Sequence, residues 1–374
     1  QIVVLGESVT SSGMIQADSL YEQGGEIELQ ANDKIELIQQ AIVSAQAINS
    51  GTGGSVKLLG DKIGLLDSSS VNVSGANGGG EALIGGDKQG ENNNIRNADF
   101  LFMSENATVF ADAKIEGDGG KIITYADDTT RIYGYLFARG SINGGNGGFI
   151  ETSGKRGFSI LNAPDVSASS GDGGLWLIDP YNISIQSSGV PASYDVTGST
   201  DYTSSASSAT IDVDTIVTAL GTGDVSIVTG VSDPVDAQDG NIDFNTSLNY
   251  NGIGDRTLTL EAANNITFAL DEIIFDGTEN TQDSLNINLY AKGDIKLNDG
   301  VIIDTQGGNF TVGYVDPNNI TANDIIPTSF TSYTDDGAGT ITSATIDTSG
   351  AGFIDRDTAA VNAGNISITS SGAV

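Results

Sequence analysis

The amino-acid sequence predicts an all-β protein, a right-handed parallel β-helix (a solenoid) with three short strands per coil and a Ser/Thr-rich interruption. Three observations predict it: a recurring Gly-Gly pair, short stretches of alternating apolar and polar residues, and a composition unsuited to a thick core. The chain has 374 residues with 50 glycines, and 38% of its residues are hydrophobic and 6% aromatic. A thin core that repeats along one axis needs fewer large apolar side chains than a globular core.

A Gly-Gly pair opens each copy of the repeat. The copies are GGEIEL at Gly24, GGSVKL at Gly53, GGEALI at Gly79, GGKIIT at Gly119, GGFIET at Gly147 and GGLWLI at Gly173, at spacings of 29, 26, 40, 28 and 26 residues. We expect these glycines at tight corners that require a positive φ angle. The 40-residue step is expected to hold extra strand material in residues 95–115.

Alternating pieces follow the glycines and predict the strands. Examples are IELQANDKIEL from Ile27, VKLLGDKIGLL from Val56, LTLEAANNITF from Leu258 and INLYAKGDIKL from Ile287. Alternation with period 2 is typical of a strand that buries one face, and the polar interruption is typical of a turn. A third alternating piece precedes the next glycines. Because near-identical units follow one another and hairpin-type loops are sparse, each strand should lie parallel to its counterpart in the next unit.

The pattern divides the chain into two β-helix segments, residues 1–185 and 236–374, separated by residues 186–235. The first part of this interruption is rich in Ser and Thr and loses the alternation, which predicts a loop. Its later part predicts a short helix that contains Ile216 and Leu220, with Asp214 as N-cap and Gly221 as its stop.

Composition excludes several kinds of chemistry. The chain has no Cys and no His, which excludes disulfides, the usual zinc and copper sites, and Ser-His or Cys-His nucleophile pairs. Its net charge of −34 disfavours nucleic acid and anionic lipid as partners. No apolar stretch approaches the ~20 residues that span a bilayer. We therefore expect no nucleic-acid partner, no membrane insertion and no cofactor, with calcium as the one exception considered.

The fifth copy of the repeat, GGFIETSGK, places Glu151, Thr152, Ser153 and Lys155 within five residues. An acid, two hydroxyls and a cation this close together could form the edge of an active site. In the repeat, however, Phe149 is expected to point inward and the polar residues to form a corner, with Glu151 and Lys155 paired at the surface. Such a pair contributes at most about 1 kcal/mol. The structural interpretation is preferred, and no catalytic residue is assigned.

Two other features are candidates for a site. Asp127 and Asp128 lie near Arg131 and are candidate calcium ligands, although adjacent residues of a strand point to opposite faces. Trp176, the sole tryptophan, lies close to Pro180. An aromatic residue beside a proline turn favours a packed corner over a sugar-binding platform.

Eight Asn-x-Ser/Thr sequons are candidate glycosylation sites. They begin at Asn72, Asn106, Asn182, Asn245, Asn265, Asn309, Asn319 and Asn365. A second interpretation is that asparagines of successive coils stack as an internal ladder.

Four blocks of the sequence carry a family resemblance. In order, they are GGGEALIGGDKQG from Gly78, DGGKIITYADDTTRIYGYLFARG from Asp118, GGFIETSGK from Gly147 and GGLWLIDPYNISI from Gly173. In the order and spacing of these four blocks, the chain resembles the filamentous-haemagglutinin-related exoproteins of bacterial two-partner secretion. The resemblance implies a secreted or surface-exposed β-helical fibre, exported through a partner outer-membrane pore. The family's secretion domain, with its Asn-Pro-Asn motifs, is not matched, so export recognition is expected outside this chain.

The leading functional expectation is a non-enzymatic, extracellular adhesin segment that attaches by multivalent contacts to host cells, other bacteria or abiotic surfaces. One alternative is a subunit that associates end to end into a filament. Another is a β-helical polysaccharide lyase or hydrolase, which the scarcity and scatter of basic residues disfavours.

Overall fold

A computed structural model describes residues 1–187, 202, 209–230, 238–250, 254–269, 271–276, 284–298, 300–305, 307–315, 324–331, 345–347 and 366–368. Among these residues the protein is all-β, with 31 strands and one α-helix. Each strand pairing that the structure describes is parallel, as the sequence predicts. The chain divides into two compact units, one built mainly from Gln1–Pro180 and the other mainly from Val225–Val374.

The first unit holds strands β1 to β16 and a short 3-10 helix, Lys88–Gly90. The strands are β1 (Ile2–Ser11), β2 (Met14–Gln16), β3 (Glu26–Leu37), β4 (Ile42–Ser44), β5 (Ser55–Leu59), β6 (Lys62–Leu65), β7 (Ser70–Asn72), β8 (Glu81–Ile84), β9 (Phe100–Met103), β10 (Thr108–Phe110), β11 (Lys121–Ala126), β12 (Thr129–Ile132), β13 (Tyr135–Phe137), β14 (Phe149–Gly154), β15 (Gly157–Ile160) and β16 (Gly174–Ile178).

The repeats of the first unit contribute strands at three positions, and each strand pairs with its counterpart one repeat later; β3 is long enough to occupy both the first and the second position. The first strands form the run β3-β5-β8-β11-β14-β16, the second strands form β3-β6-β9-β12-β15, and the third strands form β2-β4-β7-β10-β13. The register aligns inward-facing apolar residues in rows. One row consists of Ile27, Val56, Ala82, Ile122, Ile150 and Trp176, all of them buried.

The twin glycines allow the backbones of successive repeats to approach each other closely. None of the twelve residues in the six pairs has a positive φ angle, so the prediction of positive φ at these corners is wrong. A β-carbon at Gly24, Gly53 or Gly147 would instead lie less than 3 Å from a carbonyl oxygen of the backbone. The second glycine of each pair uses this approach for a hydrogen bond, such as Gly54 N–H to Ala45 O at 2.7 Å.

The long third repeat differs from the others by a loop between β8 and β9, residues 85–99, and not by extra strands. The strands β9 and β10 occupy the ordinary second and third positions of the repeat. The loop lies over the outward face of β11 and β14. Lys88 Nζ lies 5.7 Å from the centre of the Phe149 ring, and a β-carbon at Gly90 would overlap the ring of Tyr125.

This loop explains why an outward-facing row of residues becomes buried. The row consists of the register partners Glu28, Lys57, Leu83, Ile123, Glu151 and Leu177. The first two are half-buried, whereas the last four are buried. Leu83, Ile123 and Tyr125 form an apolar cluster on this face, against which Phe149 packs.

The second unit repeats the same parallel arrangement. Its strands are β17 (Ile183–Gln186), β18 (Ala209–Asp212), β19 (Gly223–Val228), β20 (Ile242–Phe244), β21 (Leu248–Tyr250), β22 (Arg256–Ala262), β23 (Ile266–Phe268), β24 (Ile273–Asp276), β25 (Leu285–Ala291), β26 (Asp294–Leu297), β27 (Ile302–Asp304), β28 (Phe310–Val312), β29 (Ser329–Thr331), β30 (Thr345–Asp347) and β31 (Ile366–Ile368). They form the runs β19-β22-β25-β28-β31, β18-β17-β20-β23-β26-β29 and β21-β24-β27-β30.

The predicted short helix is present as α1, Val213–Leu220, and buries Ile216 and Leu220. Its N-cap is Asp212, whose side chain accepts the backbone N–H of Asp214, so the prediction of Asp214 as the cap is wrong. Gly221 occupies the C-terminal cap as predicted. Most of the Ser/Thr-rich stretch lies outside the described residues.

Candidate functional site

The twin glycines of the first unit line a groove of about 930 Å³. Glycine backbone forms part of the groove surface, because these residues have no side chains. Beside it runs a row of register partners, Glu26, Ser55, Glu81, Lys121, Phe149 and Leu175. Six successive repeats therefore contribute equivalent positions to one surface.

The central cation of this groove is part of an ion-pair network. Lys121 Nζ lies 3.1 Å from a carboxylate oxygen of Glu81 and 2.9 Å from one of Asp87. Burial alone would raise the pKa of Asp87, but hydrogen bonds from Asn92 and Lys121 lower it to about 2. The network joins the base of the 85–99 loop to β8 and β11.

A buried polar cluster lies where the loop meets the ends of β14 and β16. It consists of Gln89, Glu151, Ser153, Lys155 and Asp179, and is called the acid cluster from here on. Glu151 and Ser153 are fully buried, and Asp179 is 1% exposed. The cluster brings together residues that lie up to 90 positions apart in the sequence.

Gln89 connects the two carboxyl groups of the acid cluster. Its backbone N–H donates to both carboxylate oxygens of Glu151, at 3.0 and 3.1 Å, and its side-chain amide donates to Asp179 Oδ2 at 3.1 Å. The residue has a φ angle of 55°, a left-handed conformation that costs a non-glycine residue about 1–2 kcal/mol. Such strain persists where surrounding contacts hold the residue in place, and these three hydrogen bonds do so.

Ser153 also contacts both acids. Its hydroxyl donates to Glu151 Oε1 at 2.8 Å and accepts the backbone N–H of Asp179 at 3.2 Å. Since Glu151 and Ser153 lie on β14 and Asp179 directly follows β16, the parallel pairing of these strands sets the spacing between the groups.

Lys155 pairs with Asp179. The distance from Lys155 Nζ to Asp179 Oδ2 is 2.7 Å, and the two side chains are 14% and 2% exposed. The other carboxylate oxygen of Asp179, Oδ1, is buried without a hydrogen-bond partner among the described residues.

Burial dominates the electrostatics of both acids. The pKa of Glu151 is raised to about 7, chiefly by burial and also by the charge of Asp179, against the lowering effects of Ser153, Gln89 and Lys155. Burial likewise raises the pKa of Asp179, although Lys155 opposes this shift. Glu151 can therefore exchange a proton near neutral pH.

The structure overturns the expected solvent-exposed corner at residues 151–155. Ile150, not Phe149, lies in the inward row, and Glu151 is buried instead of facing water. Lys155 forms its ion pair with Asp179 on the next repeat and not with Glu151. The structure adds Asp179 to the grouping suggested by the sequence, and buries both Glu151 and Asp179 away from an external substrate.

Trp176 packs inside the first unit, as the sequence predicts. The side chain is fully buried, and its Nε1–H donates to Thr152 Oγ1 at 2.9 Å. The only indole of the chain therefore presents no surface to a sugar.

The two candidate calcium ligands have protein partners. Asp127 Oδ1 accepts hydrogen bonds from Tyr125 at 2.9 Å and Asn97 at 3.2 Å. Asp128 accepts one from Thr129 at 2.7 Å and lies 3.8 Å from Arg156. Within the residues that the structure describes, no group of three or more acidic side chains is placed to hold a metal ion.

The sequons differ in environment. Asn106, Asn245 and Asn309 are exposed, Asn72, Asn182 and Asn265 are half-buried, and Asn319 and Asn365 lie outside the described residues.

Two of the half-buried asparagines belong to a ladder in the second unit. Asn182 Oδ1 accepts the backbone N–H groups of Gly240 and Asn241, at 2.8 and 2.7 Å. Asn241 Oδ1 accepts the N–H of Asn265 at 3.1 Å, and Asn265 Oδ1 accepts that of Asp294 at 2.7 Å. These side chains link successive repeats, as the ladder interpretation predicts.

No protein-family model and no curated protein matches this chain. In the part of the chain that the structure describes, no helix has the length and apolarity to cross a membrane. Any function assigned to the chain therefore depends on its own residues and geometry.

Proposed function

We propose that this chain is a structural and adhesive segment of a secreted or surface-exposed bacterial β-helical fibre, without enzymatic activity. In this proposal the chain winds as a right-handed parallel β-helix with three strands per coil. The support is the pairing of each strand with its counterpart one repeat later, in three separate series.

The groove along the twin glycines is the observation that carries the adhesive role. It is lined by equivalent positions from six successive repeats, including the exposed Glu26 and the half-buried residues Glu81, Phe149 and Leu175. A surface of repeated positions suits many weak contacts, whose strength adds when several copies bind together.

The acid cluster supports a structural role over catalysis on an external substrate. A glycoside hydrolase needs two carboxyl groups that flank the bond to be cleaved. Glu151 and Asp179 are instead enclosed by protein and hold the loop and two adjacent repeats together.

The proposal includes an export route, secretion through a partner outer-membrane pore, and an extracellular location. The four sequence blocks that resemble two-partner exoproteins support secretion through an outer-membrane pore, recognised by a region outside this chain. The net charge of −34 keeps the chain soluble, which fits a secreted fibre.

A binding assay with multivalent display tests the adhesive role. Beads coated with many copies of the chain are applied to cells and to a glycan array. The uncoupled chain is applied to the same surfaces for comparison. We expect the beads to bind and the uncoupled chain to bind weakly. Ser55→Arg, in the groove, should abolish bead binding, whereas Asn106→Arg, an exposed residue with the same charge change, should not.

Two results would contradict the proposal. One is equal absence of binding by beads and free chain on every surface. The other is the release of reducing or unsaturated ends when the purified chain is incubated with anionic or neutral polysaccharides, which would assign an enzyme.

A filament subunit is the second candidate, and the edge strand β1 favours it. Among the described residues β1 pairs only with β3, and Val3 and Leu5 on it are 50% and 69% exposed. An exposed edge with apolar side chains is a template for pairing with another strand. Electron microscopy of the purified chain should show long fibres that Leu5→Lys abolishes; separate particles without fibres would exclude this candidate.

A further inference from the structure

We propose that Lys155 and Asp179 become joined by a side-chain amide bond, which covalently links two adjacent repeats of the first unit. This modification is independent of the adhesive role, because it concerns the interior of the protein and not its surface. It follows from the geometry of the acid cluster.

The two reacting groups are held in contact. Lys155 follows β14 and Asp179 follows β16, and these strands pair with Glu151 opposite Leu177. Lys155 Nζ lies 2.7 Å from Asp179 Oδ2, with both side chains largely buried. Fixing an amine against a carboxyl group in this way replaces a bimolecular encounter by a unimolecular step and so lowers the entropic part of the barrier to condensation.

The environment does not satisfy Asp179 as an anion. Its Oδ1 atom is buried and has no hydrogen-bond partner among the described residues. Leaving part of a buried charge unpaired is unfavourable. Condensation with Lys155 would remove both charges from the buried site.

Asp112, another buried carboxylate of the first unit, shows the contrast. Both of its oxygens accept hydrogen bonds from Arg139, and Lys114 adds a further bond at 2.9 Å. Although burial raises the pKa of Asp112, these partners hold it below its usual value. The ion pairs of Asp112 are complete, whereas the pair of Asp179 is not.

Glu151 is placed to carry the proton. Gln89 donates hydrogen bonds to the carboxyl groups of both Glu151 and Asp179. Ser153 donates to the carboxyl group of Glu151 and accepts the backbone N–H of Asp179. With a pKa raised to about 7 by burial, Glu151 can both donate and accept a proton at neutral pH.

The reaction needs no other reagent. The neutral amine of Lys155 attacks Cγ of the protonated Asp179 carboxyl group and forms the new C–N bond. Glu151 transfers a proton from the nitrogen to the departing hydroxyl group, the C–O bond breaks, and one water molecule leaves. The products are an amide and water, and Glu151 returns to its starting protonation state.

The amide would have the effect that a disulfide has in other proteins. The chain has no cysteine, and the bond would close a loop between residues 24 positions apart. A covalent loop restricts the unfolded chain and so stabilises the folded one.

Mass spectrometry of the purified full chain tests the proposal. The intact mass should be one water molecule below the mass calculated from the sequence. After digestion with trypsin, which cleaves after Arg156, fragmentation should show the Lys155 peptide joined to the peptide that contains Asp179. A chain of full sequence mass, with separate peptides after incubation at neutral pH, would overturn the proposal.

Matched variants separate the amide from other causes of water loss. Lys155→Arg keeps the ion pair but lacks the nucleophilic amine, so its mass should equal that calculated from its sequence. Glu151→Gln keeps the size of the side chain and one acceptor oxygen for Gln89 and Ser153, but removes the proton carrier, and should slow or abolish the water loss. If Lys155→Arg loses water as the wild type does, the loss arises elsewhere, as in Asp-Gly cyclisation, and the proposal fails.

Discussion

Gly53 and Val73 lie so close together that residue 53 has no room for a β-carbon. An added β-carbon would overlap the carbonyl oxygen of Val73 and approach the backbone nitrogen of Gly80 to 2.6 Å. Both obstacles are backbone atoms of other strands or corners, so neither can move aside without disturbing the repeat. The same close approach recurs at the first glycine of the other pairs.

Gly53→Ala should therefore destabilise the protein strongly. The overlap with backbone atoms is expected to lower the free energy of unfolding by about 3 kcal/mol or more, in the range of severe packing defects. Gly13→Ala is the matched control, because a β-carbon there meets no atom within 4 Å. Denaturant unfolding measures both, and equal stability of the two variants would contradict the close-approach explanation.

Glu151 should make the protein less stable as the pH rises from about 4.5 to about 7. Its pKa is raised from 4.5 to about 7 in the folded state. In this window the folded state binds more protons than the unfolded state, so the free energy of unfolding falls with rising pH. The full shift corresponds to about 3 kcal/mol, and the effect is absent below 4.5, where both states are protonated.

Unfolding measurements across this pH window check the Glu151 prediction. Glu151→Gln should show a smaller loss of stability with rising pH than the wild type, because glutamine does not titrate. Glu105→Gln, at an exposed position, should follow the wild-type curve. Burial remains the main cause of the shift whether or not Lys155 and Asp179 are joined. Parallel curves for wild type and Glu151→Gln would show that Glu151 is not buried.

Asn182→Ala should destabilise the second unit. It removes the acceptor for the N–H groups of Gly240 and Asn241, and unsatisfied buried donors cost about 1–3 kcal/mol. Asn182→Asp keeps the acceptor oxygen and should be tolerated better, while Asn106→Ala, at an exposed sequon, should be neutral. Thermal unfolding ranks the three variants. If Asn182→Ala were as stable as Asn106→Ala, the asparagine ladder would not stabilise the second unit.

Trp176 provides a direct optical test of packing. Because it is the only tryptophan and is fully buried, its fluorescence should be blue-shifted and resist quenching by acrylamide until the protein unfolds. Thr152→Val removes the acceptor of the indole N–H and should cost about 1–3 kcal/mol. Ready quenching in the folded protein would contradict the burial of Trp176.

The parallel repeat could be predicted from the sequence because its signals are local. Twin glycines followed by alternating apolar residues mark each first strand, and the structure places Ile27, Val56 and Ile122 in one inward row as that pattern implies. The reason for the glycines could not be predicted. Tight turns and close approach of backbones both favour glycine, and the two differ only in the folded structure.

The acid cluster could not be predicted because it depends on distant parts of the chain. Glu151 lies on an outward-facing position that would meet water in an ordinary repeat. It is buried because Gln89, 62 residues earlier, folds over it. Nothing in the sequence of the inserted loop indicates which strands it covers, so the burial of Glu151 does not follow from the local pattern. The inward position of Ile150, in contrast, follows from its alignment with Ile27 and Ile122 in the repeat. The available clue was the 40-residue spacing, which marked this repeat as different.

The parallel, in-register pairing of successive repeats is tested most directly by introduced cysteine pairs in a chain that has none. Thr257 and Asn286 are register partners in β22 and β25, at the strand spacing of about 4.8 Å that a disulfide can bridge. The pair Thr257→Cys with Asn286→Cys should oxidise readily. The pair Thr257→Cys with Tyr290→Cys, about 13 Å further along the strand, should not. If the second pair closed and the first did not, the strands would be antiparallel and the account would be contradicted.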